Sequence, residues 1–243
     1  MIENDGIPCF NWMILQTGQL PLRPDGRLVQ TAEHRCTAVL IWPHGAHPAA
    51  ANTILIDPCF TSTGIEEAYA RLDRLDIALD DIGRIFVTHL HADHMLHLPY
   101  DVPAPRFRPL RPDTRIDGIE LVLCPGHHPL LLALTFRAVD GRAIWVVGDA
   151  VLDEEWLRAW HYFWVNGYTP AEIVETWRSV AAIVSRADLI IPGHGAPITV
   201  DAELVGHLLE TFPQAAFADH CPDVIPTLRA RWLQLSEQVD PGE

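Results

Sequence analysis

Thr88-His89-Leu90-His91-Ala92-Asp93-His94 places three histidines and an aspartate within a single short loop. Imidazole nitrogen and carboxylate oxygen are donors that Zn²⁺, Fe²⁺ and Mn²⁺ accept. The run follows Ile85-Phe86-Val87, an apolar stretch that reads as a buried strand. A ligand-rich loop at a strand end is a rigid place to hold an ion. Taken alone, the same residues could be a polar loop whose histidines bond locally.

Further donors follow three other strand-like runs. Cys124-Pro125-Gly126-His127-His128 comes after Ile119–Leu123, Gly148-Asp149 after Ala143–Val147, and Pro192-Gly193-His194-Gly195 after Leu189–Ile191. Glycine directly precedes His127, Asp149 and His194. It permits a tight turn and removes a side chain that would crowd a metal. Singly, each of these is a weak signal. Together they supply five histidines and two aspartates at strand ends, enough for two ions.

The combination His89, His91, Asp93, His94, His127, Asp149 and His194 resembles the metallo-β-lactamase-fold metallo-hydrolase superfamily, over roughly residues 35 to 200. The resemblance implies an α/β fold, a four-layer αβ/βα sandwich with the site at one edge of two packed sheets. It implies that His89, His91 and His127 bind a first metal, that Asp93, His94 and His194 bind a second, and that Asp149 bridges them. It also implies that Asp57 supports the metal loop without binding metal. The expected cofactors are two divalent ions, Zn²⁺ first, with Mn²⁺ or Fe²⁺ as alternatives. Two adjacent cations lower the pKa of a shared water toward neutrality. The hydroxide can attack a carbonyl or phosphoryl centre, and the cations stabilise the charge that develops. Asp93, with one oxygen to spare, is the candidate general base.

The elements that must position these groups are legible in part. Residues 36 to 42 and 53 to 57 read as strands around a Pro/Gly/Ala-rich loop. Ile65, Ala68, Tyr69 and Leu72 recur at helical spacing, as do Ile173, Trp177, Val180 and Val184 after Thr169-Pro170, an N-cap followed by first-turn proline. Glu203 to Phe212 and Val224 to Leu235 are further helices. The expectation is one domain over residues 1 to 243, with C-terminal helices from 201 to 236.

Composition narrows the function classes. Net charge is −15, against nucleic-acid binding. All 17 basic residues are arginine, so Schiff-base chemistry on lysine and a lysine-dependent phosphate loop are excluded. Five widely spaced cysteines without a C-x-x-C pair fit reduced thiols. Cys124 reads as a buried small hydrophobe. The acidic first residues lack the order of a signal peptide, and no apolar run reaches membrane-span length. The expectation is a cytoplasmic protein acting on a small molecule, with no nucleic-acid or membrane partner and a possible homodimer.

Two stretches could choose the substrate. Residues 97 to 115 carry five prolines and Arg106, Arg108, Arg111 and Arg115, readable as a rim for an anionic group or as a solvated loop. His97 could line the pocket or sit on the surface. After Asp149, the aromatic segment 156 to 168 could be core or lid. Trp156, Trp160 and Phe163 share a helical face, which leaves Tyr162, Trp164 and Tyr168 for the pocket; His161 reads as structural. Many relatives continue the metal loop with glycines where Met95-Leu96-His97 stands here. The lactone-cleaving branch carries tyrosine where this chain has Leu152. The reading is a dinuclear hydrolase of a small ester, lactone or thioester. The alternatives are a mononuclear iron dioxygenase using His89, His127 and Asp149, a phosphodiesterase on the same fold, and a non-catalytic module.

Overall fold

The computed structural model describes residues 8–103, 105–161 and 167–239. Ten strands form one continuous ladder: β1 (Cys9–Gln16), β2 (Ala38–Pro43), β3 (Ile54–Ile56), β4 (Arg84–Phe86), β5 (Arg108–Pro109), β6 (Ile119–Leu123), β7 (Leu132–Ala138), β8 (Ala143–Gly148), β9 (Leu189–Pro192) and β10 (Ile198–Thr199). The order is β10-β9-β8-β7-β1-β2-β3-β4-β5, with β6 also on β7. Helices α1 (Ser62–Leu72), α2 (Glu154–Ala159), α3 (Pro170–Arg186), α4 (Ala202–Thr211) and α5 (Val224–Val239) flank it.

Side-chain alternation explains the layers. In β2, Val39 and Ile41 face one core, while Ala38, Leu40 and Trp42 face another. In β8, Ile144 and Val146 join the first of these, while Trp145 and Val147 face a third. The period of two thus puts both faces of each half-sheet against apolar partners. The shared inner core holds Phe10, Val39, Ile41, Ile54, Ile56 and Phe86 from one half and Leu134, Phe136, Ile144, Val146 and Ile191 from the other. The α1 side covers one outer face; α2 to α5 cover the other. This is the αβ/βα arrangement, with one difference from two separate sheets. Among the described residues, the halves meet at a parallel seam where Cys9↔Arg137 and Phe10↔Ala138 pair.

Local chemistry sets the helix starts. Thr61 accepts from Gly64 N–H, Asp153 from Trp156 N–H and Asp201 from Leu204 N–H. Thr169 and Glu172 form a capping box ahead of α3, with Pro170 in the first turn. Each side-chain cap contributes on the order of 1 kcal/mol. The α2 helix stops at Trp160, whose backbone is left-handed. Of the expected aromatic face, Trp156 and Trp160 are described. Phe163, Tyr162 and Trp164 lie outside the described residues. No helix among the described residues is long and apolar enough to cross a membrane.

Strand direction positions the donors. β6 and β8 both run antiparallel to β7, and β9 runs parallel to β8 with Gly148 opposite Pro192. The loops after β6, β8 and β9 therefore emerge at one end. The loop after β4 is tied to them where Leu132 N–H donates to Thr88 O at 2.9 Å, and Thr37, just ahead of β2, adds an N–H bond to Gly193 O at 2.6 Å.

Candidate metal centre

Seven donors converge in two overlapping sets. His89, His91, His127 and Asp149 offer ligand atoms that all lie within 4.8 Å of one another, and so do Asp93, His94, Asp149 and His194. Asp149 belongs to both and divides its oxygens between them. Its Oδ2 is 3.2 Å from His127 Nε2 and 3.8 Å from His89 Nε2. Its Oδ1 is 3.0 Å from His94 Nε2 and 3.2 Å from His194 Nε2. His91 faces the first set through Nδ1, 2.9 Å from His127 Nε2.

The far side of most rings is held. His94 Nδ1 lies 2.8 Å from Asp57 Oδ2, His194 Nδ1 3.0 Å from Arg35 O, His89 Nδ1 3.1 Å from Thr88 Oγ1, and His127 Nδ1 2.9 Å from Tyr168 Oη. Such outer partners fix which nitrogen keeps a lone pair for a metal. Asp57 also accepts from Thr88 N–H and Thr88 Oγ1, both at 2.8 Å. One buried carboxylate thus anchors the loop and orients a donor within it. The glycines keep room for the donors. A Cβ on Gly193 would lie 2.0 Å from Asp149 Oδ1; on Gly148, 2.3 Å from Thr88 Oγ1; on Gly126, 2.1 Å from Thr176 Oγ1.

Electrostatics separates the two sets. Burial pushes the His89 imidazole down to about 2 and that of His127 to about 4, against the pull of Asp149. Both rings are therefore neutral at pH 7, with a lone pair to give. Burial also disfavours charge on His94, but Asp149 and Asp57 outweigh it and raise its pKa well above the ordinary imidazole value. His194 is raised as well: burial opposes, and Asp149 prevails. Burial would raise Asp149, yet His94, His194 and His127 hold it well below the usual carboxylate range. Asp93 is lowered too, burial being outweighed by the hydrogen bond from His34 and by His94.

Whether the residues suit a cation can be judged from their own bonding. Among the described residues, His89 Nε2, His94 Nε2 and Asp149 Oδ1 are buried without a hydrogen-bond partner. His94 Nε2 and Asp149 Oδ1 are 3.0 Å apart, but not in hydrogen-bond geometry. Buried polar atoms without partners are costly. Here they point inward among imidazole and carboxylate donors, a set that suits divalent transition metals.

Comparison with known proteins agrees with this geometry. A sequence profile described as the metallo-beta-lactamase superfamily matches residues 33–100, which contain the first four donors. A candidate metallo-beta-lactamase from Thermotoga maritima superposes with a TM-score of 0.54 at 18% identity, covering 79% of this chain and 99% of that one. The chain has the metallo-β-lactamase fold. A quorum-quenching N-acyl homoserine lactone lactonase is similar in structure, with a TM-score of 0.51, 16% identity and coverage of 78% and 92%. An N-acyl homoserine lactone hydrolase, solved with N-hexanoyl-L-homoserine at its catalytic metal centre, gives 0.52 at 14% identity over 78% and 94%. A search of curated proteins finds no match.

Within this metallo-β-lactamase fold, the other site residues expected from sequence divide. Tyr168 stands at the rear of His127, so its hydroxyl orients a donor. His97 has an exposed side chain and is not on the metal mouth. Its backbone instead pairs with Cys59, donating to Pro58 O and accepting from Phe60 N–H. Arg106 and Arg108 are displaced further. β5 runs parallel to β4 with Arg108 opposite Arg84, at the start of the strand whose far end carries the metal loop. The two arginines line a cavity with Ala50, Asp80 and Gly83. A register set by strand pairing thus removes them from the rim. Trp156 and Trp160 are core, with indole N–H groups donating to Leu22 O and Leu208 O. His161 is exposed and packs edge-on to Trp156. Cys124 is buried and belongs to neither donor set. Sequence reasoning passed over His34, whose Nε2 is 3.1 Å from Asp93 Oδ2. A lone histidine between Glu33 and Arg35 has no spacing that marks it.

Proposed function

We propose that the protein is a dinuclear metal-dependent hydrolase of small esters, lactones or thioesters. The observation that carries this reading is Asp149, buried and offering one oxygen to each of two donor sets. His89, His91 and His127 would hold one cation, Asp93, His94 and His194 the other, and Asp149 both. When bound, two such cations, Zn²⁺ first, supply an acidified water and electrophilic help to a carbonyl.

The chain's own groups do the rest. Asp57, Thr88, Arg35 O and Tyr168 fix the imidazoles so that the donor array is preformed. Asp93 lies at the mouth, its Oδ2 3.1 Å from His34 Nε2 and 3.5 Å from His194 Nε2, which leaves its other oxygen to take a proton from a water entering there. The mouth is an open cavity of about 230 Å³ lined by Leu20, His34, Ala92 and Leu152 beside the donors. That volume is at the small end for a ligand pocket, which restricts the reading to a small molecule. Leu20 and Leu152 offer it apolar walls, which favours an uncharged ester or lactone over a phosphodiester. A single-iron oxygenase would leave Asp93, His94 and His194 without a role. Net charge −15 leaves nucleic acid outside the substrate class, and five widely spaced cysteines without a C-x-x-C pair fit a reducing, cytoplasmic setting.

Metal content by inductively coupled plasma mass spectrometry, with a panel of lactones, thioesters, esters and phosphodiesters, tests the proposal. Two metals per chain and turnover of a carbonyl substrate are expected, with His91→Ala abolishing turnover while the circular dichroism spectrum is retained. One iron per chain with oxygen uptake, or parent-like turnover in His91→Ala, defeats the proposal.

A further inference from the structure

His34 lies outside both donor sets, yet its surroundings hold it against one of them. The bridge Gln19↔Arg35 pins the segment: Gln19 N–H donates to Arg35 O at 2.8 Å and Arg35 N–H to Gln19 O at 3.2 Å. Glu33 N–H donates to Gln19 Oε1, and the Glu33 carboxylate accepts from Thr61 Oγ1 at 3.1 Å and Thr63 Oγ1 at 2.6 Å. Arg35 is buried on the other side, donating to Thr63 Oγ1 and to Glu67 Oε1 at 2.8 Å. Arg35 O also meets His194 Nδ1. Both neighbours of His34 are therefore anchored to the start of α1, and one of them touches a metal donor directly. The ring between them reaches Asp93 Oδ2 at 3.1 Å and lies 5.2 Å, centroid to centroid, from His194.

Asp93 needs such a partner. It is the donor in its set that is not fully buried, its side chain being 28% exposed, and His34 Nε2, at 3.1 Å, approaches the same Oδ2 that faces His194 Nε2 at 3.5 Å and His94 Nε2 at 3.9 Å. Without a partner a carboxylate at a cavity mouth can rotate toward water.

We propose that His34 is a positioning residue for the second donor set. With Nε2 3.1 Å from Asp93 Oδ2, it supplies the donor that holds the carboxylate toward His94 and His194, and it makes one wall of the substrate mouth. A ligating carboxylate that is itself hydrogen-bonded is the usual arrangement, and losing such a partner costs about 10- to 100-fold in metal affinity or activity. The inference rests on the metal-centre reading above, so its test has a readout independent of turnover.

Zinc is titrated into the metal-free full-length protein against a chromophoric chelator, for the parent and for His34→Ala, His34→Phe and His34→Gln. Glutamine keeps an N–H donor at similar reach; phenylalanine keeps the ring volume and loses the donor. The expected result is that the weaker of the two zinc sites loses about 10- to 100-fold in affinity in His34→Ala and His34→Phe and regains most of it in His34→Gln. On any substrate the parent turns over, kcat should fall with the same rank order while KM moves less. Parent-like zinc affinity in the phenylalanine variant overturns the proposal, and so does equal weakening in phenylalanine and glutamine variants, which would make the ring's packing responsible. A parent that binds no zinc overturns both this inference and the metal-centre reading, whereas a parent that binds two zincs with unaffected variants overturns only this one.

Discussion

Replacing Asp57 with asparagine exchanges one oxygen for an amide nitrogen and leaves the volume unchanged. The backbone at Asp57 is left-handed, φ 49°, a conformation asparagine adopts as readily as aspartate. The whole effect therefore falls on three hydrogen bonds. Oδ1 accepts from Thr88 N–H; Oδ2 accepts from Thr88 Oγ1 and faces His94 Nδ1, each at 2.8 Å. With the amide oxygen kept on Thr88 N–H, the NH₂ group faces the hydroxyl and the imidazole. The hydroxyl can turn and accept. His94 can pair only by moving its proton to Nε2, the atom that faces Asp149 Oδ1 and must give its lone pair to a metal. With the amide flipped, the NH₂ group meets Thr88 N–H, donor against donor, in the interior. Either outcome loses one charge-assisted bond, about 1.5–3 kcal/mol. Loss of an orienting partner is independently associated with about 10- to 100-fold weaker metal binding, which corresponds to about 1.4–2.7 kcal/mol. The two routes agree, so Asp57→Asn should weaken the zinc site holding His94 by one to two orders of magnitude and leave the His89 site closer to parent. Competition with a chromophoric chelator measures this directly. Two sites of parental affinity in a folded Asp57→Asn protein would refute the claim that this carboxylate sets the His94 tautomer.

Two other perturbations report on separate parts of the site. In Gly193→Ala the new methyl would sit 2.0 Å from Asp149 Oδ1 and 3.0 Å from Gly148 C, so the shared carboxylate must shift by about an ångström; misplacement on that scale costs roughly 100-fold in rate. Mass spectrometry for metals should find fewer than two per chain, and full occupancy with parental turnover would show the close approach to be harmless. Burial pushes the Cys59 and Cys124 thiols up to about 11 and Cys36 well above the ordinary range, so an aromatic disulfide reagent at pH 8 should react slowly with these three in native protein and quickly after denaturation. Rapid native reaction at Cys124, mapped by peptide mass spectrometry, would contradict its burial.

The donor set was legible because its chemistry is written in residue types and short spacings. Histidine and aspartate after an apolar run need no knowledge of the fold to be noticed, and the glycines before them mark the close approaches that the structure displays at Gly193 and Gly148. The helices α1, α3, α4 and α5 were readable from 3.6-residue periodicity and, for α3, from Thr169-Pro170. The seam strands were not. β1 (CFNWMILQ) has no clean alternation, because Met13 and Trp12 pack on opposite cores, and β7 holds apolar residues on both faces. Register was equally invisible: nothing in the residues 97 to 115 shows that Arg108 pairs with Arg84 and so carries its neighbours away from the mouth. His34 escaped because its importance comes from what Gln19, Thr61 and Glu67 do to the residues beside it.

The narrow join between the halves of the sheet makes the inner hydrophobic layer a gauge block. His89 to His94 hang from one half; His127, Asp149 and His194 hang from the other. The thickness of what lies between, including the edge-on Phe10–Phe136 pair at 6.0 Å, therefore dictates how far apart the two groups of ligands can stand. Trimming an aromatic there touches no ligand, yet it would let the jaws draw closer. Substitutions deep in this layer would then register first as altered preference among ions of different radius, before any loss of secondary structure.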